Sequence, residues 1–240
     1  EPERIAVYVD EYDAAALANG AWPNYCVGNH DNPRVSAHGP QRGRLALLLL
    51  LTLRGTPFFY YGDEIGMANV EVPPDLRDDR WTVPQHGMTR DSVRTPMQWD
   101  AGPNAGFCPP DVTPWLPVAD DHEKVNVETE RADRGSLLHL IRRLLELRRA
   151  TPALTIGSYR RLPAAPAGCL AYVREHDGHR IAVVLNFGER PAVVDLTPEL
   201  RGEVGRRGLN VLLSSGPRPA SEGGAVVRLQ ARAGAVLELT

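Results

Sequence analysis

Hydrophobic residues recur at helical spacing in three segments of the chain. Residues three and four positions apart lie on one face of a helix, so this spacing predicts helices. The predicted helices span residues 3–18, 41–53 and about 135–149. The second segment is apolar nearly all round, which is typical of a helix that is buried on every side.

Two short apolar runs flank the second predicted helix. Residues 24–27 precede it, and the aromatic run 58–61 follows the break at Gly55 and Pro57. Each run has the length and composition of a strand. A strand, a helix and a second strand in this order predict a βαβ unit, in which the strands are parallel and the crossover is right-handed.

From residue 155 onward the hydrophobic period changes from helical to two. This alternation predicts short strands, and Asp177-Gly178 lies where a two-residue hairpin turn is expected. Before this region, residues 66–134 have no sustained period and are rich in proline; such a long irregular segment is usually functional. The predicted strands are residues 170–173, 180–185, 192–196, 211–213, 226–229 and 236–239.

Composition excludes several classes of function. The 240 residues are 42% hydrophobic and 24% charged, close to the average for globular domains. A net charge of −3 provides no basic field for nucleic acid or a membrane surface. The three cysteines are far apart, which argues against a disulfide framework or a zinc cluster. The small number of cysteines and the absence of a visible export signal favour a cytoplasmic location for the protein. Because the chain begins with Glu1, we expect its natural N-terminus to lie upstream.

The most informative segment is Val-Gly-Asn-His-Asp-Asn-Pro-Arg, residues 27–34. It brings Asn29, His30, Asp31 and Arg34 to the end of a predicted strand, where a βα unit forms the mouth of a pocket. Buried polar groups without partners cost several kcal/mol each, so this cluster suits a pocket better than a core. From the residues alone, a helix cap or a turn remains an alternative explanation.

This segment closely resembles the last of the four short motifs of the α-amylase superfamily of glycoside hydrolases. Residues 41–67 resemble the seventh helix and eighth strand of that family's barrel, and residues 137–149 resemble the helix that closes it. The segment Arg-Thr-Pro-Met-Gln-Trp, residues 94–99, is similar to one found in the α-glucosidase and oligo-1,6-glucosidase branch. The resemblance covers nearly all of residues 1–152.

The resemblance implies an α/β fold in two parts. Residues 1–152 would be the C-terminal part of a (β/α)8 TIM barrel, comprising about strands 7 and 8 with their helices. Residues 153–240 would be an antiparallel β-sandwich. The implied activity is retaining hydrolysis of terminal α-glucosidic bonds in an oligosaccharide or disaccharide, without a redox cofactor and without nucleic-acid or membrane partners.

The resemblance also assigns roles to single residues. Asp31 matches the catalytic carboxylate that stabilises the oxocarbenium-like transition state, and His30 matches the imidazole that binds the sugar's hydroxyls. Arg94 matches a guanidinium at the closed end of an exo-acting pocket. Asn29 and Arg34 complete the candidate substrate-binding residues, although Arg34 serves equally well as a local salt-bridge partner.

Retaining glycosidases also need a nucleophile and an acid/base, two carboxyl groups about 5 Å apart. In this family they lie on the fourth and fifth strands. Residues 1–24 contain neither a Gly-x-Arg-x-Asp pattern nor an isolated Glu at a strand end. We therefore expect this stretch to begin between the sixth and seventh strands and to be inactive alone.

Two alternatives remain open. A relative that transfers or isomerises glucosyl groups, such as a trehalose synthase, sucrose isomerase or amylosucrase, would use the same His30, Asp31 and Arg94. A non-catalytic sugar-binding protein is the other alternative.

Calcium occurs in many members of the family, but the nearest candidate ligands here are better explained as a solvated run of charge, so no metal site is predicted. These carboxylates are Asp75, Asp78 and Asp79.

Overall fold

The computed structural model describes residues 2–79, 82–83, 88–200, 208–221 and 225–240, which form a mixture of helices and sheets. None of the helices in these ranges is long and apolar enough to cross a membrane. The helices are α1 (Pro2–Ala18), α2 (Pro40–Thr52), α3 (Val127–Ala132), α4 (Leu137–Ala150) and α5 (Pro152–Thr155). The strands are β1 (Asn24–Cys26), β2 (Thr56–Phe58), β3 (Thr82–Val83), β4 (Met88–Thr89), β5 (Ser158–Arg161), β6 (Cys169–His176), β7 (His179–Asn186), β8 (Ala192–Asp195), β9 (Leu209–Ser214), β10 (Ala220–Ser221), β11 (Val226–Leu229) and β12 (Ala233–Leu239).

The three helices predicted from periodicity are confirmed as α1, α2 and α4, each within one or two residues of its expected bounds. Proline occupies the first position of α1 and α2, where its missing N–H costs nothing because no intrahelical acceptor is available there. The leucines in the second half of α2 are buried, in agreement with a helix that is apolar on all sides.

The strand predicted over residues 58–61 is wrong in its position. Strand β2 begins at Thr56, whose N–H donates to the Pro23 carbonyl at 2.9 Å, and it ends at Phe58. Gly55 makes this start possible. It adopts φ 132°, and a Cβ atom there would lie 2.6 Å from the Pro23 carbonyl oxygen. The aromatic side chains beyond Phe58 therefore lie after the strand, and β1 and β2 pair in a two-stranded sheet.

The chain divides into two units, of which the first comprises residues 1–25, 47–57 and 143–240. Its C-terminal half contains a five-stranded sheet in the order β5-β6-β7-β12-β9 and a three-stranded sheet in the order β10-β11-β8. Neighbouring strands in both sheets are antiparallel. Apolar side chains from the two sheets form one buried cluster, including Val173, Val184, Val194, Val227 and Leu237.

The predicted hairpin turn is confirmed at Asp177-Gly178. Strands β6 and β7 pair up to His176 opposite His179, and the two turn residues have φ 49° and 77°. Positive φ at both central positions is the geometry of a type I′ turn, which matches the twist of the flanking strands.

Buried arginines fix the end of α2 within the first unit. Arg148 donates to the carbonyls of Leu51, Leu53 and Gly55 at 2.6–3.0 Å. Arg174 donates to the Thr52 carbonyl at 2.6 Å. The last carbonyls of a helix have no intrahelical donor, so these guanidinium groups supply the missing hydrogen bonds.

The second unit comprises residues 26–46 and 58–142. The long segment that has no period in sequence contains short 3-10 helices, the small β3–β4 pair and α3. Asn126 caps α3, because its side chain accepts from the Thr129 N–H at 2.7 Å. The short 3-10 helices of this unit span Val35–His38, Asp63–Ile65, Pro74–Leu76, Arg90–Val93 and Pro103–Gly106.

Candidate active site

The segment after β1 forms a tight turn built around the Asn29 side chain. Its Oδ1 accepts from the Asp31 N–H and from Asn32 Nδ2, both at 2.9 Å. A side-chain oxygen that bonds to the backbone two residues ahead replaces a backbone turn bond. Asn29 therefore shapes the turn, and its oxygen is already engaged in doing so.

The turn presents His30 and Asp31 to solvent. The Asp31 side chain is 49% exposed and that of His30 is 62% exposed. Nε2 of His30 lies 3.3 Å from Oδ2 of Asp31, so the imidazole and one carboxylate oxygen face each other. Both groups keep enough free surface for a ligand to contact them.

Two guanidinium groups approach the other oxygen of Asp31. Arg90 and Arg94 each have a nitrogen 3.6 Å from Oδ1 of Asp31. Arg94 also donates from Nε to the carbonyl of His30 at 3.3 Å. The structure thus brings together three of the residues expected from sequence, namely His30, Asp31 and Arg94.

Arg90 was not among the sequence candidates. It begins the short helix Arg90–Val93 and lies four positions before Arg94. Arg90–Val93 is a 3-10 helix and Arg94 lies just after it, so no regular spacing in the sequence indicates that Arg90 reaches Asp31. At the site it is equivalent to Arg94 in its distance from Asp31.

Arg34, for which the sequence leaves open a substrate contact or a local salt bridge, does not join this group. Its side chain is fully buried and donates to the carbonyls of Tyr61 and Val93. The guanidinium also lies over the rings of Tyr60 and Tyr61, 5.1 and 4.7 Å from their centroids. Because the guanidinium is buried, a ligand cannot contact it. Arg34 instead links its own segment to the loops that contain Tyr61 and Val93.

Asp63 is another buried ionisable residue of this unit. Within the part of the chain that the structure describes, neither carboxylate oxygen makes a hydrogen bond of good geometry. A Cβ atom on Gly28 would lie 3.3 Å from its Oδ2, so the missing side chain of Gly28 leaves room for this carboxylate. Burial raises the pKa of Asp63 to about 6, although the Arg34 charge opposes the increase.

The described residues contain no group of three or more His, Cys, Asp or Glu side chains placed to hold a metal ion. Of the carboxylates considered for calcium, Asp79 instead contacts Arg90 and Arg94. The exposed part of the site combines one acceptor-only carboxylate with an imidazole and two guanidinium donors. Such a set can bind pairs of hydroxyl groups, each of which both donates and accepts.

The family model of the alpha amylase catalytic domain matches residues 6–157 of the chain. Among curated proteins, the oligo-1,6-glucosidase of Parageobacillus thermoglucosidasius is 31% identical over 207 residues, which are 75% of this chain and 36% of the relative. The amino acid transporter heavy chain SLC3A1 of Mus musculus is 35% identical over 195 residues, covering 77% of this chain and 27% of the relative.

Among solved structures, trehalulose synthase MutB from Pseudomonas mesoacidophila MX-45 superposes with a TM-score of 0.80 at 30% identity. The match covers 97% of this chain and 45% of MutB. A MutB mutant in complex with the substrate sucrose gives the same TM-score and identity. The chain thus spans about a third of the length of the oligo-1,6-glucosidase and under half the length of MutB.

Proposed function

This chain belongs to the alpha-amylase family, and we propose that it is part of a parent enzyme of α-glucosidase type. The parent would hydrolyse terminal α-glucosidic bonds in oligosaccharides with retention of configuration. The observation that carries this proposal is the half-exposed Asp31 carboxylate, flanked by His30 on one oxygen and by two arginines on the other. The similarity to an oligo-1,6-glucosidase supports the choice of reaction.

Each exposed group has a role that follows from its charge. Positive charge develops at the anomeric carbon as the glycosidic bond breaks, so a fixed carboxylate at Asp31 favours the transition state over the ground state. His30 and the two arginines would hold the sugar's hydroxyl groups. Arg34 would act indirectly, because it ties the Asp31 segment to the backbone at Tyr61 and Val93.

We assign residues 1–152 to the C-terminal part of the catalytic (β/α)8 barrel and residues 153–240 to a C-terminal β-sandwich. On this assignment the nucleophile and the acid/base come from elsewhere in the parent. The 240 residues alone would then bind sugar weakly and form no covalent intermediate.

A second candidate is transfer or isomerisation of a glucosyl group instead of hydrolysis. The similarity to MutB, described as a trehalulose synthase, favours it. The first half of either reaction needs the same stabilisation by Asp31, and the two differ in whether water or a sugar accepts the glucosyl group. A non-catalytic role is the third candidate, because a transporter heavy chain is also among the relatives.

The test compares products and a matched pair of variants in the parent protein. We expect glucose release from maltose or isomaltose, and a fall of about 10³-fold in kcat/KM for Asp31→Asn. Asp75→Asn is the control, because it removes an exposed carboxylate elsewhere in the same unit. An unchanged kcat/KM in Asp31→Asn, or full turnover by the 240 residues alone, would contradict the proposal.

The same assay separates the candidates. Isomeric disaccharides formed from sucrose with little free glucose would identify the transferase. If no product forms from maltose, isomaltose or sucrose, isothermal titration with maltose distinguishes a sugar-binding protein from one that does not recognise sugar.

A further inference from the structure

Asp79 is a carboxylate near the site that the proposed reaction does not use. It lies just after the short helix Pro74–Leu76, and its side chain is mostly buried, with 12% exposed. One of its oxygens, Oδ2, accepts a hydrogen bond from Nε of Arg90 and lies 3.6 Å from a terminal nitrogen of Arg94. Asp79 therefore contacts both arginines that approach Asp31.

The four side chains form a closed ring of alternating charge. Asp31 and Asp79 are its two anions, and each contacts both Arg90 and Arg94. The two anions differ in exposure, since Asp31 is 49% exposed and Asp79 is 12% exposed. A ligand can reach the first carboxylate, whereas the second remains with the arginines.

The backbone of Asp79 is fixed to the same helix that carries Arg90. Asp91 is fully buried, and its Oδ2 accepts from the backbone N–H groups of Asp78 and Asp79 at 3.0 and 2.9 Å. Because Asp91 follows Arg90 directly in the chain, Asp79 and the arginines are anchored to one short segment. The hydrogen bond to Asp79 also raises the pKa of Arg90.

We propose that Asp79 is a positioning residue that keeps Arg90 and Arg94 from neutralising Asp31 when a sugar occupies the site. The inference rests on the proposed role of Asp31 in stabilising positive charge. Without the charge on Asp79, Asp31 is the remaining carboxylate of the ring, and both guanidinium groups are drawn toward it. A neutralised Asp31 loses its advantage in the transition state, where the sugar carries positive charge, more than in the ground state, where the sugar is neutral.

The kinetic test is Asp79→Asn in the parent enzyme. We expect kcat to fall roughly tenfold with a smaller change in KM, since the charge of Asp31 matters most in the transition state. Asp79→Glu keeps the charge and should recover most of kcat. Asp78→Asn is the matched control, because it leaves the backbone bond to Asp91 in place and changes a neighbouring exposed side chain.

A double-mutant cycle tests whether Asp79 acts through Asp31. In an Asp31→Asn background, Asp79→Asn should have little further effect on kcat, because there is no longer a charge to protect. An equal loss of kcat in both backgrounds, or an equal loss in Asp78→Asn, would overturn the proposal and indicate a general structural role for this loop.

A measurement on the 240-residue chain is independent of catalysis. The Nε–H group of Arg90 donates to Asp79, so its signal in nitrogen-15 NMR spectra should show slowed exchange in the wild type, and faster exchange in Asp79→Asn but not in Asp78→Asn. Unchanged exchange in Asp79→Asn would overturn the proposal even if the enzyme is active. If the parent shows neither hydrolase nor transferase activity, the proposed function and the protection of Asp31 by Asp79 both fail. Faster exchange in Asp79→Asn would then show only that Asp79 binds Arg90.

Discussion

Two pairs of arginines, one in each unit of this chain, serve opposite purposes. In the first unit, Arg148 and Arg174 are buried and donate to backbone carbonyls over 2.6–3.0 Å. In the second unit, Arg90 and Arg94 are about a third and a quarter exposed and approach Asp31 at 3.6 Å. The residue type is the same, and the burial and the partner decide whether it is structural or available to a ligand.

The physical difference lies in what can replace each partner. The carbonyls at the end of α2 have no donor within the helix, and the arginines that bond to them are buried, so these bonds persist. Burial lowers the pKa of Arg174 to about 10, which still leaves its guanidinium charged at neutral pH. An exposed carboxylate at 3.6 Å is a loose partner, and a hydroxylated ligand can take its place.

The largest effect on stability is expected from removing one of the buried arginines at the end of α2. Arg148→Ala removes the donors to three carbonyls and leaves a cavity, so the free energy of unfolding should fall by about 4 kcal/mol. Arg149→Ala is the control, because Arg149 is the exposed neighbour on α4. Urea denaturation followed by circular dichroism measures both. Equal losses in the two variants would show that the buried contacts contribute no more than an exposed side chain does.

Asp63 is a buried carboxylate whose oxygens make no hydrogen bond of good geometry, in contrast to the well-bonded guanidinium groups of Arg148 and Arg174. Its pKa rises from 3.8 to about 6 in the folded protein, so the folded state holds this proton more tightly than the unfolded state. The contribution to stability is therefore complete below about pH 4 and is lost as the pH rises through about 6. The full change is about 3 kcal/mol.

Asp63→Asn should remove this pH dependence, because an amide does not titrate. The measurement is the free energy of unfolding between about pH 4 and pH 7, taken as the difference between the wild type and the variant. Taking the difference cancels the contributions of the other carboxylates, whose ion pairs act in the opposite direction. A difference that stays constant over this range would show that Asp63 is not desolvated in the folded protein.

The sequence predicted the regular elements well, because their signal is local. The period of α4 and the Asp177-Gly178 turn depend on residues close together in the chain, and both are confirmed. Strand β5 was missed because Ser-Tyr-Arg-Arg shows no alternation, and it is held by pairing with β6. The position of β2 was missed because it depends on a bond from Thr56 to the Pro23 carbonyl.

The site was predictable in part for the same reason. His30 and Asp31 are neighbours in sequence, so their proximity follows from the chain itself. The burial of Arg34 depends on carbonyls 27 and 59 residues away, at Tyr61 and Val93, and no local pattern indicates them. The link from Asp79 to both site arginines is likewise a property of how the loop folds.

The smallest effect on stability is expected from replacing an exposed arginine of the candidate site. Arg94→Gln removes a partly exposed guanidinium, and ion pairs of this kind contribute at most about 1 kcal/mol to the free energy of unfolding. We expect a loss in that range at low salt and almost none at high salt, because ions screen exposed charges. Urea denaturation at two salt concentrations measures it, with Arg148→Ala as the salt-insensitive reference. A loss as large as that of Arg148→Ala would mean that Arg94 is a structural residue and that its position beside Asp31 is not available to a sugar.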